Sequence, residues 1–337
     1  MKIGLIGGGN ISNTHARAAR AIAGVEVTAV YGANKNKVDQ LSRDWGATAY
    51  SDFETFLGHP SMEMVIIGGP SGLHASQGIA AAHHGLHVLV EKPIDISTER
   101  ADALIAECRK AEVKLGVIFQ DRFKPDICRL RQFIQDGALG RPLLADARVK
   151  WYRPPEYYRD SRWRGTWALD GGGALMNQGV HTVDLLLWLM GDIKNIKANT
   201  RTMLHEIETE DTALALLEFS SGALGVLQAT TAAYPGYPRR VEITGSEGTV
   251  ILEHDSIVSA DLRKKPEGLI SENMRDQNPS ASSPLVSDVR GHQRAIEDFI
   301  RAIREDGKPR CDGTDGRRSL AVIEEIYRLS GRPVPFE

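Results

Sequence analysis

The stretch from Lys2 to Ser12, KIGLIGGGNIS, constrains the fold more than any other part of the chain. A short apolar run breaks into three consecutive glycines, and a segment with helical periodicity follows at once, through about Ala23. Strand, glycine turn and helix then recur in outline. VEVTAVYG reads as a second strand, followed by a polar helix through about Trp45, the apolar strand MEMVIIGG, the helix HASQGIAAAHHG and the strand HVLVEKP. Ser97 or Thr98 is placed to cap a further helix, with Glu99 and Asp102 in or near its first turn. KLGVIFQ closes a sheet of at least five strands. Strands separated by helix-length segments require a parallel sheet with helices on both faces, so residues 1–120 are expected as one α/β domain.

Within that frame the glycine turn acquires a chemical meaning. Gly7-x-Gly9-x-x-Ser12 matches the Rossmann dinucleotide fingerprint, with a small serine where the third glycine usually lets helix and strand approach. Gly7, Gly9, Asn10 and Ile11 would then face a pyrophosphate with bare amides at a helix N-terminus. The acid that normally binds the adenosine 2'-hydroxyl falls at Gly32, followed by Ala33, Asn34, Lys35 and Lys37. Asn34 and Lys35 lean the expected cofactor, NAD(P), towards NADP; the alternative is that the lysines are solvated residues at a helix start and either dinucleotide is accepted. Glu91-Lys92-Pro93 ends another strand at the edge where open α/β sheets bind ligands, so Lys92 is a candidate for proton transfer and Glu91 for ribose hydroxyls.

Beyond about Gln120 the texture changes. LLADARVKW, NIKANTRTM, TALALLEFSSGALGVLQATT and RRVEITGSEGTVILEH read as longer strands with SSG and GSEG as hairpin signals, which makes an antiparallel sheet of this half. Amphipathic helices over 288–305 and 315–331 end the chain, after an expected mobile loop at 273–287. Residues 121–337 are expected as a second domain, in keeping with 337 residues of 42% hydrophobic composition. A formal net charge of −3 with mixed signs excludes an electrostatic footprint for nucleic acid or anionic lipid. Three scattered cysteines without CxxC spacing fit a reducing compartment, and no apolar run reaches the ~18 residues of a spanning helix, so a cytoplasmic protein with a small-molecule partner is expected.

DGGGALMNQGVHTVD, from Asp170 to Asp184, loosens the backbone completely and then places Asn177, His181 and Asp184 at helical spacing along one face. An amide, an imidazole and a carboxylate in that order suit acid–base work on one carbon; the bland alternative is a core His181 paired with Asp184. Residues 151–167, WYRPPEYYRDSRWRGTW, gather aromatics and four arginines in a segment suited to sugar rings and to carboxylate or phosphate groups. His83, His84 and His87 do not converge, because Gly85 ends their helix, and no metal site is expected.

GGGNIS, GGPSGLHASQGIAAAHHGLHVLVEKPI and DGGGALMNQGVHTVDLLLWLMG together resemble the glucose-fructose oxidoreductase / inositol dehydrogenase / MocA family. GALGRPLLADARVKW and the C-terminal helices extend the resemblance over most of the chain. It implies a Rossmann domain followed by an α/β domain with a large, mostly antiparallel open sheet that usually mediates dimer or tetramer formation. It implies NAD(P)-dependent hydride transfer at a secondary alcohol or ketone of a sugar or polyol. Lys92 and His181 match the family's catalytic lysine and acid/base, whereas Asn177 stands where an aspartate is frequent, so a Lys-Asp-His triad does not transfer intact. Trp163 and Arg164 match a cofactor-contacting pair, and Pro70 and His74 a turn beside the nicotinamide ribose. Lys92, Arg122, Asn177, His181 and Asp184 are expected at the substrate, with Arg122 as a surface arginine the alternative. Two other functions suit the same fold: a non-catalytic NADP-binding regulator, and a glycosidase acting through transient oxidation.

Overall fold

The computed structural model describes residues 1–264 and 288–332; the expected loop at 273–287 lies outside them. The chain forms two compact units, Met1–Gln120 with Val286–Arg317, and Asp121–Leu285 with Arg318–Glu337.

The first unit is a six-stranded parallel sheet in the order β3-β2-β1-β4-β5-β6. Its strands are β1 (Lys2–Ile6), β2 (Glu26–Tyr31), β3 (Thr48–Tyr50), β4 (Met64–Ile67), β5 (His87–Glu91) and β6 (Leu115–Ile118). They alternate with α1 (Asn10–Arg20), α2 (Lys35–Trp45), α3 (Phe53–Leu57), α4 (His74–His83) and α5 (Thr98–Lys110). Ser97 caps α5, its hydroxyl accepting the Arg100 amide. The strand order reverses between β1 and β4, which puts the glycine turn after β1 at the crevice where such sheets bind ligands. β4, buried along its whole length, is the continuous apolar run that a two-sided parallel sheet demands.

The unit's core also contains Ile296, Phe299 and Ile300 of α9 (Arg290–Arg304), packed with Ile3, Leu5, Ala16 and Ala19. This revises the expected second domain of residues 121–337: the chain returns, and 286–317 complete the first unit. Gly116 on β6 lets α9 in, since a Cβ there would lie 2.7 Å from the Phe299 ring. Truncating Phe299 to alanine removes a buried aromatic, a change that costs about 3–5 kcal/mol. An amphipathic stripe shows that α9 covers a core but not which core, and so the return is invisible in sequence.

The second unit is a seven-stranded sheet in the order β13-β12-β11-β7-β10-β9-β8, antiparallel except where β7 and β10 pair in parallel. Its strands are β7 (Pro142–Lys150), β8 (Ile193–Arg201), β9 (Thr212–Phe219), β10 (Leu224–Thr230), β11 (Arg240–Gly245), β12 (Gly248–Glu253) and β13 (Ser256–Leu262). Alternation along β7 and β9 sends Ala145, Ala147, Ala213 and Leu217 into the interior and leaves Leu144, Leu214 and Leu216 exposed on the other face, beside Leu224. The helices of this unit are α6 (Pro125–Gln135), α7 (Pro155–Arg159), α8 (Val180–Met190) and most of α10 (Gly313–Leu329), with α8 packed on β7.

Candidate active site

The glycine turn is built to admit an anion. Gly7 has φ 125°, and a side chain on it would press within 2.9 Å of the Gly68 carbonyl, so only glycine serves there. Gly9 caps α1 with no side-chain hydrogen bond, and no acidic residue occupies the first turn of α1, which leaves its first amides without local partners. No atom lies within 4 Å of where a Gly9 Cβ would be. Ser12 is buried beneath Gly7, its hydroxyl without a hydrogen-bond partner among the described residues. Bare amides, a positive dipole end and open space fit a pyrophosphate. Asn10 lies exposed at the start of α1 and Ile11 is half-buried after it.

At the adenosine end, Gly32 closes β2 against the turn, since a Cβ there would sit 3.2 Å from the Gly8 amide nitrogen. Asn34 has a structural role, because its Oδ1 accepts the Lys37 amide at 3.1 Å and caps α2. Lys35, 77% exposed, pairs with Asp39 one turn on. Each side chain thus has a partner within α2.

Lys92 follows β5, half-buried, and its amide donates to Glu91 Oε2 at 3.1 Å. The Glu91 carboxylate does not face solvent, which corrects its expected place at the ribose: it is turned into the unit, 2.9 Å from His15 Nε2 and 3.7 Å from His292 Nε2. Burial alone would raise its pKa, but the His15 hydrogen bond and the charges of His15, His292 and Lys92 hold it at about 2. This trio is the one cluster of metal-ligand type among the described residues. Metal-bound histidines, however, pass their second ring N–H to an acceptor, and His15 Nδ1 is buried without any. His15 Nε2–H donating to Glu91 satisfies the geometry better than a metal does.

His74 is also drawn inward. Its Nδ1 lies 2.8 Å from the Pro93 carbonyl and Nε2 3.2 Å from that of Gly69, so the ring ties the turn after β4 to the turn that carries Lys92. Expected at the nicotinamide ribose, it instead shapes the loop, and Pro70 opens the short helix Ser71–Leu73 before it.

In the second unit the three glycines that follow Asp170 have three separate reasons. Gly171 has φ 74°; a Cβ on Gly172 would strike the Tyr327 hydroxyl; a Cβ on Gly173 would strike the Glu210 carbonyl. Residues Ala174–Gly179 then form a π-helix, a wide turn common at functional sites, which passes into α8. Glu210 anchors its start, accepting from Gly173 N at 2.9 Å, Leu175 N at 2.7 Å and the Tyr327 hydroxyl at 3.0 Å. Its full burial pushes its pKa up to about 7.

The wide turn divides the face that was expected to carry all three polar groups. Asn177 turns to Asp170, donating Nδ2–H to Oδ1 at 2.6 Å, while His181 and Asp184 face the segment Gln120–Phe123. Asp184 is wholly buried and bidentate with Arg122, at 2.8 and 2.5 Å, and Ser319 adds a bond at 3.4 Å. Arg122 is itself buried, with Trp188 beside its guanidinium. Both were expected at the substrate; here their charges are paired with each other. His181 Nδ1 lies 3.8 Å from Asp121 Oδ2, a residue that no sequence motif singled out. Burial would raise the pKa of Asp121, but Arg239 and Lys124 hold it well below the usual range; both cations also pair with Asp255. Arg164 stacks over Tyr157 at 4.2 Å and lies 5.4 Å from the Trp163 ring.

Comparison with known proteins points the same way. Residues 1–119 match "Oxidoreductase family, NAD-binding Rossmann fold" and residues 127–251 match "GFO/IDH/MocA C-terminal domain". The WlbA dehydrogenase from Bordetella pertussis, solved with NADH and UDP-GlcNAcA, is 31% identical, with TM-score 0.89 over 100% of this chain and 99% of its own. Its counterpart from Chromobacterium violaceum, solved with the same two molecules, is 30% identical, with TM-score 0.88 over 100% and 96%. Myo-inositol 2-dehydrogenase of Thermotoga maritima is 25% identical over 96% of this chain and 94% of its own length.

Proposed function

Because the chain belongs to the GFO/IDH/MocA family of oxidoreductases, we propose that it transfers hydride between a nicotinamide dinucleotide and a secondary alcohol or ketone of a sugar, polyol or sugar derivative. The observation that carries this reading is the open cradle at Gly9, bounded by the bare N-terminus of α1 at the strand-order reversal of the parallel sheet. A bound dinucleotide supplies the hydride acceptor or donor; the protein contributes alignment and proton handling. His181 is the proposed acid/base, Lys92 the donor of a hydrogen bond to the reacting oxygen, and Asn177 a polar group that fixes orientation.

NAD(H) is the cofactor we favour, in departure from the NADP lean. The relatives solved with NADH support it, and so do the other roles of Asn34 and Lys35. With Gly32 in the acid position no carboxylate repels a 2'-phosphate, so NADP(H) is tolerated. For the substrate, the arm at 151–167 and the two relatives that bind UDP-GlcNAcA favour a nucleotide-linked or acidic sugar over a free polyol. A second copy of this chain is the proposed partner, covering the exposed Leu144, Leu214, Leu216 and Leu224 as a dimer or tetramer. Among the described residues no helix is long and apolar enough to cross a membrane. The free thiols of Cys108, Cys128 and Cys311 suit the cytoplasm, where we place it.

The test follows absorbance of reduced nicotinamide while NAD+ or NADP+ is offered with sugars, inositols, anhydrosugars, sugar acids and UDP-GlcNAcA. Turnover on a member of the panel supports the reading. Tight dinucleotide binding without turnover on any would favour the regulator, and release of free sugar from a chromogenic glycoside the glycosidase.

A further inference from the structure

From cation to anion, a line of hydrogen bonds runs through the π-helix with every donor pointing the same way. Arg153 donates to Gln178 Oε1 at 3.0 Å, Gln178 Nε2 to Asn177 Oδ1 at 2.7 Å, and Asn177 Nδ2 to Asp170 Oδ1 at 2.6 Å. Asp170, nearly wholly buried, uses Oδ2 to accept the Gly165 amide at 2.8 Å. Two amides thus bridge a buried guanidinium and a buried carboxylate, and each polarises the next.

We propose that Asp170 is a positioning residue, the fixed anion that sets the orientation of Asn177, and that Arg153 belongs to this relay rather than to substrate capture. This deepens the reading of the same site and rests on it only for the activity measurement below. The relay explains why the chain carries asparagine at 177. A carboxylate there would stand 2.6 Å from Asp170, where two like charges cannot both be ionised. Exchanging the two side chains preserves every link. The amide, moved to position 170, would accept the Gly165 N–H and donate to the carboxylate, which at position 177 would still accept from Gln178.

The test is a four-member cycle of wild type, Asp170→Asn, Asn177→Asp and the exchanged double variant, followed by thermal unfolding from pH 6 to 9. Arg164 stacks on Tyr157 beside the relay, and the other titratable groups facing it are Tyr157, Tyr158 and Tyr327, all raised by burial, so that none of these tyrosines titrates in that window. Glu210, bonded to Tyr327, does titrate there, but its contribution is common to all four proteins and cancels in the cycle.

Asn177→Asp is expected to lose about 5 °C in Tm at pH 8 and less at pH 6, and the exchanged variant to recover most of that loss. Should Asn177→Asp fail to fold at all, folding of the exchanged variant supports the proposal and its failure to fold overturns it. A single variant as stable as wild type at every pH, or an exchange no better than the single change, also overturns it. In the folded variants, Asp170→Asn should lower kcat and leave KM for the dinucleotide unchanged. An unchanged kcat would contradict the positioning role. If no variant, wild type included, turns over, the stability cycle still decides the relay while the enzymatic reading fails on its own.

Discussion

Asp121 Oδ2 lies 3.8 Å from His181 Nδ1, so the imidazole faces a carboxylate that Arg239 and Lys124 already share. His181→Ala should cost on the order of 10²-fold or more in turnover if the ring is the base. Asp121→Asn leaves two cations balanced only by Asp255, which disfavours a protonated imidazole. The rising limb of kcat/KM for alcohol oxidation is therefore expected at lower pH in that variant. Superimposed pH profiles would contradict the pairing.

Glu210 gives stability a slope on the alkaline side of the carboxylate range. Its folded pKa of about 7 lies above its ordinary value of 4.5, so its favourable contribution is complete below pH 4.5 and lost as pH rises through 7. The loss is on the order of 3 kcal/mol. Denaturant unfolding from pH 5 to 8 should show wild type losing stability more steeply than Glu210→Gln. Parallel curves would contradict the raised pKa.

Glu91 has the opposite sign. Its folded pKa of about 2 is depressed from 4.5, so the stability that it contributes is present above pH 4.5 and lost as pH falls towards 2. Acid unfolding of Glu91→Gln should begin from a lower plateau and run flatter over that interval. The variant should also bring an elevated KM or lowered kcat, because the Lys92 amide rests on the same carboxylate. Equal acid midpoints would argue that His15 and His292 do not hold the charge.

The strand–turn–helix alternation of the first unit could be read directly, since parallel strands buried on both faces declare themselves as apolar runs between helices. Lys92 and His181 stand out in the sequence through the motifs around them. What could not be read was direction. Glu91, His74, Arg122 and Asp184 all carry polar atoms in suggestive places, but each is turned inward by a partner distant in sequence: His15, Pro93, and each other. The same holds for Asp121, whose partner Arg239 lies more than a hundred residues away. Nor did helical spacing at 177, 181 and 184 foretell that a π-helix would turn Asn177 aside. Three adjacent glycines were the available hint, because so much backbone room implies close neighbours such as Tyr327 and Glu210.

The open face of the second sheet supplies a prediction about assembly. Leu214 and Leu216 on β9 and Leu224 on β10 are more than half exposed, and the proposed second copy covers them. Leu216→Lys should shift the species seen by sedimentation towards monomer without changing the fold. A wild type that sediments as monomer at micromolar concentration would remove the proposal.

The most direct test of the central claim uses Gly9. A Cβ there meets nothing within 4 Å, and the φ of −88° suits any residue, so Gly9→Val should fold, with Tm lowered by less than about 4 °C for a poorer helix cap. Yet the same side chain fills the space assigned to the pyrophosphate. Calorimetric titration with NADH should therefore give saturable binding to wild type and none to Gly9→Val. Absence of binding to wild type, or undiminished binding to the folded variant, would contradict the account.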